Sequence, residues 1–186
     1  MTHPHATTIE PPLATAAPAA APVAPGLQAH AAPQQGPQPA RPQSTRSVCV
    51  VGLGYIGLPT ASLLCSRGYQ VRGVDLAQNV VDTINGGNIH IVEPDLDVMV
   101  RSAVSAGRLQ ASQEVGPADV FLLAVPPPID EDRRPDMSAV DAAAKAIAPH
   151  IKRGDLVILE STSPVGTTED RVAAALAESG LLVGED

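Results

Sequence analysis

The feature that most narrows what this chain can fold into is the stretch Ser47 to Asp75, SVCVVGLGYIGLPTASLLCSRGYQVRGVD. An apolar run, Val48 to Val51, leads into Gly52-Leu53-Gly54-Tyr55-Ile56-Gly57, a G-x-G-x-x-G spacing. Beyond it Gly57, Ala61, Leu64, Cys65 and Gly68 recur at helical intervals, and a second apolar run from Val71 to Val74 ends in Asp75. The order predicts strand, glycine turn, helix, strand, acid. Gly52 allows the tight turn, Gly54 lets the backbone approach a pyrophosphate, and Gly57 lets the helix sit close to the strand. The helix N-terminus offers N–H groups and a positive dipole end to phosphates. Asp75, eighteen positions after Gly57, is placed to accept hydrogen bonds from ribose hydroxyls. Its charge would repel a 2′-phosphate, so the pattern favours NAD over NADP. Glycine-rich turns are common for conformational reasons alone. The strand before, the helix after and the acid at the right distance give this one its dinucleotide reading.

From Arg46 onward strand and helix signals alternate, which predicts a doubly wound parallel α/β sheet of Rossmann type, covered on both faces and ordered 3-2-1-4-5-6. Helices are expected at Gln78 to Asn85, Asp95 to Ala106 (opened by Pro94 and ended by Gly107) and Met137 to Ile151. Strands are expected near Leu109 to Ala111, at Asp119 to Val125 and at Leu156 to Leu159, with a sixth beginning at Leu181 to Val183. Thr167 with Asp170 resembles a capping box for a helix running to Gly180.

Residues 1–45 read differently. They are dominated by Ala, Pro and Gln, and Glu10 and Arg41 are their only charges apart from histidines. Frequent proline blocks helix propagation, and there is little apolar surface to offset the entropy of ordering. This predicts a disordered arm, 1–45, before a nucleotide-binding domain, 46–186. His3, His5 and His30 lie in that arm without partner cysteines, so no metal site is assigned. Net charge is −8 over 186 residues, which argues against nucleic acid as a partner. No apolar run approaches the ~18 residues that span a bilayer, and the first residues lack the pattern of a secretory signal. Cys49 and Cys65 fall on the first strand and first helix and read as small core residues of a reduced compartment, with the cytoplasm the expected location.

In such a sheet the ligand crevice lies at the carboxyl ends of strands 1 and 4. The loops that matter are then GLGYIG, PPPIDEDRRPD and STSPVGTTEDR. Ser161, Thr162 and Ser163 bring hydroxyls to that end, although hydroxyls at a strand end are also ordinary capping groups.

Together VVGLGYIGLPTA, GVDLAQNVVDTIN, NIHIVEPDL, AVPPPI, PDM and VILESTSPVGTTE resemble the UDP-glucose/GDP-mannose dehydrogenase family, in order from Ser47 to about Glu178. IHIVEPDL and LESTSPVG are most similar to the members that oxidise UDP-N-acetyl-D-mannosamine. The resemblance implies a cytoplasmic enzyme that oxidises C6 of a UDP-linked N-acetylhexosamine to a carboxylate, reducing two NAD per turnover, for cell-surface polysaccharide. It implies a UDP-sugar substrate and a homo-oligomer for full-length members. It also implies that Tyr55, Ile56, Asp75 and Thr162 contact NAD, and that Thr162 helps hold a water near the reacting carbon.

Two departures stand out. The family loop after strand 4 usually carries threonine where this chain has Pro127, which offers neither a hydroxyl nor an N–H. The family's nucleophilic cysteine and acid/base lysine are expected farther along than Asp186, so no catalytic residue is assigned. Cys49, Cys65, Lys145 and Lys152 match no catalytic motif. The expectation is therefore an NAD-binding portion without the catalytic part. A non-catalytic nucleotide-binding or interaction module is the alternative, and a β-hydroxyacid dehydrogenase would leave IHIVEPDL and ESTSPVG without a role. Deletion of residues 1–45 is expected to leave NAD affinity unchanged in a titration. A large loss would mean that the arm contributes to the crevice.

Overall fold

The computed structural model describes residues 46–127 and 135–186. The predicted disordered arm, and most of the loop PPPIDEDRRPD, lie outside the described residues. The sheet has five parallel strands in the order β3-β2-β1-β4-β5, formed by β1 (Ser47–Val51), β2 (Gln70–Val74), β3 (Leu109–Ser112), β4 (Val120–Leu123) and β5 (Leu156–Leu159). Central strands buried on both faces read as unbroken apolar runs, and side-chain alternation then divides each run between two cores. On β1, Val48 and Val50 join one core while Cys49 and Val51 join the other. On β4, Leu122 packs into the first core and Phe121 and Leu123 into the second.

Helices cover each face with an apolar stripe. On the first face, α1 (Gly57–Ser66) contributes Leu58, Ala61 and Cys65, α2 (Gln78–Asn85) contributes Val80, Val81 and Ile84, and α3 (Leu96–Ser105) contributes Leu96, Val100 and Ala103. On the second, α4 (Ser138–Ile147) supplies Val140, Ala143, Ala144 and Ile147, with Val172 and Leu176 beside it. Leu176 closes the short helix α5 (Ala173–Leu176).

Several predicted elements are corrected. The sixth strand does not form among the described residues. Residues 182–186 instead make a turn in which the Asp186 N–H donates to the Leu182 carbonyl at 3.0 Å and the Leu182 N–H donates to an Asp186 carboxylate oxygen at 2.8 Å. Arg153 pairs with Asp186 and completes the clasp. The capping box is absent too, because the Thr167 hydroxyl donates backwards to the Pro164 carbonyl at 2.8 Å. The predicted helix to Gly180 is a wide turn over Thr168–Val172, then α5, then a tight turn over Ala177–Ser179. Pro94 does not open α3, since Asp95 intervenes with φ 62° and the helix starts at Leu96. The Met137 to Ile151 helix is α4 followed by a tight turn at Ala148–His150, where Pro149 cannot continue the hydrogen-bond ladder. Strand 4 ends at Leu123 rather than Val125.

On the outer edge of β3, Ala111 is capped by a side chain. The carboxamide of Asn85 donates to the Ala111 carbonyl at 2.9 Å and accepts from the Ala111 N–H at 2.8 Å, as a neighbouring strand would.

At the amino end of the sheet, one Asp119 carboxylate oxygen accepts the Ser47 N–H at 2.7 Å and the Ser47 hydroxyl at 2.9 Å. Lys152 Nζ donates to the other oxygen at 3.1 Å. The Ser47 amide first, then Lys152 and the Ser47 hydroxyl, hold this carboxyl down from 3.8 to about 2. A carboxyl depressed on folding contributes stability that is fully present above its ordinary value and is lost as pH falls through the folded value. The Ser47 amide resonance is therefore expected to titrate with a midpoint near pH 2 in an NMR series. A midpoint near 3.8 would mean that the Asp119 bonds are not held in solution.

Candidate dinucleotide site

The glycine turn lies at the carboxyl end of β1 and is built from absences. Gly52 has φ +94°, a left-handed backbone that other residues adopt at a cost. A β-carbon there would also lie 2.8 Å from the Ala124 carbonyl oxygen. At Gly57 a β-carbon would fall 1.8 Å from the Gly52 carbonyl oxygen and 3.1 Å from the Ala124 side chain. The close approach expected of Gly57 is thus to the turn and to the residue after β4, which bring α1 against both. Gly54 is different, since a β-carbon there would meet nothing within 4 Å. Its backbone faces open space, as an approaching pyrophosphate requires.

The start of α1 is left able to receive an anion. The Leu58 N–H donates to the Gly54 carbonyl at 3.1 Å, whereas the amides of Tyr55, Ile56 and Gly57 have no partner among the described residues. No side chain caps this helix and its own first turn carries no acid, so its free amides and the positive end of its dipole remain available to an anion. Tyr55 and Ile56 are 62% and 52% exposed, above the crevice rather than in the core.

Asp75 stands at the carboxyl end of β2. One of its oxygens accepts the Leu53 N–H at 3.1 Å and the other accepts the Ala77 N–H at 3.0 Å. The carboxylate therefore fixes the glycine turn, and each oxygen keeps a lone pair for a further donor such as a ribose hydroxyl. Leu53 is fully buried, and a β-carbon on Gly73 would sit 2.7 Å from its Cδ2.

Beyond β5, the three hydroxyls divide their tasks. The Ser161 hydroxyl donates to the Val125 carbonyl at 2.6 Å, tying this loop to the end of β4. The Ser163 hydroxyl donates to the Ser161 carbonyl at 3.1 Å. Thr162 is exposed and its hydroxyl has no partner among the described residues, so it is the one available to a ligand. Pro127 is half-buried at the mouth of the loop after β4.

Sequence reasoning missed Glu160. It accepts the Thr60 hydroxyl at 2.8 Å, across 100 residues of sequence, while its other oxygen is buried without a partner among the described residues. A buried acceptor left unpaired is costly, and a donor brought to the crevice would relieve it. Only a motif that already paired GLPTA with LEST could have pointed to this contact.

The cysteines lie apart from this chemistry. They are buried on opposite faces of the sheet, and burial pushes each thiol up to about 11, so both are protonated at neutral pH. Lys152 is committed to Asp119 and Asp155 at the opposite end of the sheet.

A parallel sheet with a glycine turn, a helix start without a side-chain cap and an acid at the end of β2 defines a dinucleotide-binding domain of Rossmann type. The profile of the UDP-glucose/GDP-mannose dehydrogenase family, NAD binding domain, matches residues 46–182. The chain belongs to that family, with NAD as the cofactor of the domain. It is 64% identical over 124 residues to the NDP-N-acetyl-D-galactosaminuronic acid dehydrogenase of Ralstonia nicotianae, covering 67% of this chain and 29% of that protein. It is 57% identical over 135 residues to the UDP-N-acetyl-D-mannosamine dehydrogenase of Escherichia coli, covering 73% of this chain and 32% of that one. The solved UDP-N-acetyl-mannosamine dehydrogenase of Staphylococcus aureus superposes with a TM-score of 0.72 at 39% identity, over 75% of this chain and 34% of that one. The chain thus spans about a third of the length of these relatives.

Gly57→Ala is expected to destabilise the domain by about 3 kcal/mol, the upper end of overpacking costs, because the atom it meets is backbone. Gly54→Ala should leave denaturant stability nearly unchanged and weaken NAD. Equal stability losses in the two variants would refute this division of labour.

Proposed function

We propose that residues 46–186 are the NAD-binding portion of an enzyme that oxidises C6 of a UDP-linked N-acetylhexosamine to the uronate with two NAD per turnover, for cell-surface polysaccharide. The observation that carries this reading is the convergence of the glycine turn, Asp75 and Thr162 at the carboxyl ends of the strands, in a chain that matches its family from 46 to 182. Gly52, Gly54 and Gly57 shape the cradle, the amides of Tyr55 and Ile56 meet the pyrophosphate, Asp75 holds the ribose and excludes a 2′-phosphate, and Thr162 meets the cofactor from the β5 side. When bound, NAD supplies the hydride acceptor. The chain's own groups bind and orient it and keep the adenosine end in one pose.

UDP-N-acetyl-D-mannosamine is the proposed substrate, supported by the E. coli relative and by the S. aureus structure. The galacto epimer is a second reading, favoured by the 64% identity to the Ralstonia protein. A cytoplasmic location and a homo-oligomer of the longer family members belong to the same proposal.

The test has two parts. The 186-residue chain should bind NAD more tightly than NADP, and Asp75→Asn should weaken NAD by about 1–3 kcal/mol and narrow the ratio of the two affinities. An unchanged ratio would remove Asp75 from the ribose. A chimera carrying residues 46–182 in place of the matching segment of the E. coli relative should then form NADH with UDP-N-acetyl-D-mannosamine or its galacto epimer, while the 186 residues alone do not. A folded chimera that neither binds NAD nor turns over would favour a non-catalytic module.

A further inference from the structure

The end of the sheet away from the crevice holds a polar cavity. It has a volume of about 200 Å³ and is bordered by Arg72 on β2, Arg108 just before β3, the carboxamide-bearing Gln70 and Gln110, and Ser47 at the start of β1. None of its nine lining residues is acidic, in a chain whose net charge is −8. The strands bring the two arginines together, for the Val71 N–H donates to the Arg108 carbonyl at 2.8 Å and Arg72 is paired in register with Gln110.

Both guanidinium-bearing residues are half-buried, and neither has an ion pair or side-chain hydrogen bond among the described residues. At the same end Lys152 is paired with Asp119 and Asp155, and Arg153 with Asp186. Asp119, which bonds Ser47 at the same end, is already held by Lys152. Room for Arg72 is also built in. A β-carbon on Gly116 would lie 3.0 Å from Arg72 Nε and 3.2 Å from its Cζ, so the guanidinium rests against a residue that has no side chain. Gly116 does not have a positive φ, so space rather than backbone shape accounts for glycine there.

We propose that Arg72 and Arg108 form a phosphate-binding site at the amino end of the sheet, separate from the dinucleotide crevice. Two planar donor sets with carboxamides beside them suit the oxygens of a phosphate group, and neither guanidinium would have to give up a carboxylate among the described residues to bind it. The cavity admits a small phosphate and is too small for a dinucleotide. Binding there would fasten the starts of β1 and β2 to the turn between α3 and β3.

The experiment follows ¹H–¹⁵N resonances of the full chain with the crevice saturated by NAD. Inorganic phosphate is titrated against chloride at matched ionic strength, then glycerol 3-phosphate is titrated in the same way. The expected result is a saturable shift of Arg72 Nε–H and of the Gly107, Arg108 and Gly116 amides, with Gly54 and Tyr55 unmoved. Arg72→Gln and Arg108→Gln should each weaken phosphate roughly ten-fold, the scale of one charge-assisted hydrogen bond, with NAD affinity retained as proof of folding. If one variant fails to bind NAD, the other decides. Tighter binding of glycerol 3-phosphate assigns the site to a monoester, and tighter binding of inorganic phosphate assigns it to the free anion. Shifts that chloride reproduces, that do not saturate, or that survive substitution of the arginines would overturn the proposal. NAD failing to move Gly54 and Tyr55 would count against the crevice assignment alone.

Discussion

A β-carbon on Gly57 would lie 1.8 Å from the Gly52 carbonyl oxygen, so the first turn of α1 rests on the glycine turn only because position 57 carries no side chain. Much of the crevice depends on that contact. It sets α1 against Ala124 at the end of β4, and from there Thr60 reaches Glu160 at the end of β5. Leu53, between the first two glycines, turns inward over Gly73 and anchors the turn to β2, while the Asp75 carboxylate grips the Leu53 amide from the same strand. Interiors packed at crystal density tolerate no extra methyl at such points.

The parts legible in the sequence are those governed by near neighbours. The spacing from Gly52 to Asp75 and the apolar runs of β1 and β4 state strand, turn and helix within a few residues of one another. Parallel strand order follows from their alternation with helices. The parts that were not legible depend on competition or distance. Thr167 has the residue type of a cap, but Pro164 offers its hydroxyl a nearer carbonyl. Leu181 to Val183 is apolar enough for a strand, yet Asp186 closes the segment into a turn and docks it on Arg153 and on the Gly154 amide. The Glu160 and Thr60 pair joins residues 100 apart, which no local pattern encodes. Among three adjacent hydroxyls, only the fold shows that Ser161 and Ser163 are spent on the backbone while Thr162 has no partner among the described residues.

Charge is arranged differently at the two ends of the strands. At the carboxyl ends the start of α1 without a side-chain cap and the Asp75 carboxylate follow neighbouring strands, so a positive dipole end and a negative side chain share that end of the sheet. At the amino ends the charges belong to side chains, and Lys152 is neutralised locally by two aspartates. The buried thiols, protonated on either face, add no nucleophile between these ends.

The carboxamide of Asn85 gives Ala111 both bonds that a sixth strand would offer on that side. The opposite border, β5, has Leu156 54% and Ile158 38% exposed, and no described strand pairs beyond it. The two borders of the sheet are therefore unlike. Near Ala111 an incoming backbone finds its hydrogen bonds already taken, whereas no side chain among the described residues bonds the outer backbone of β5 in that way.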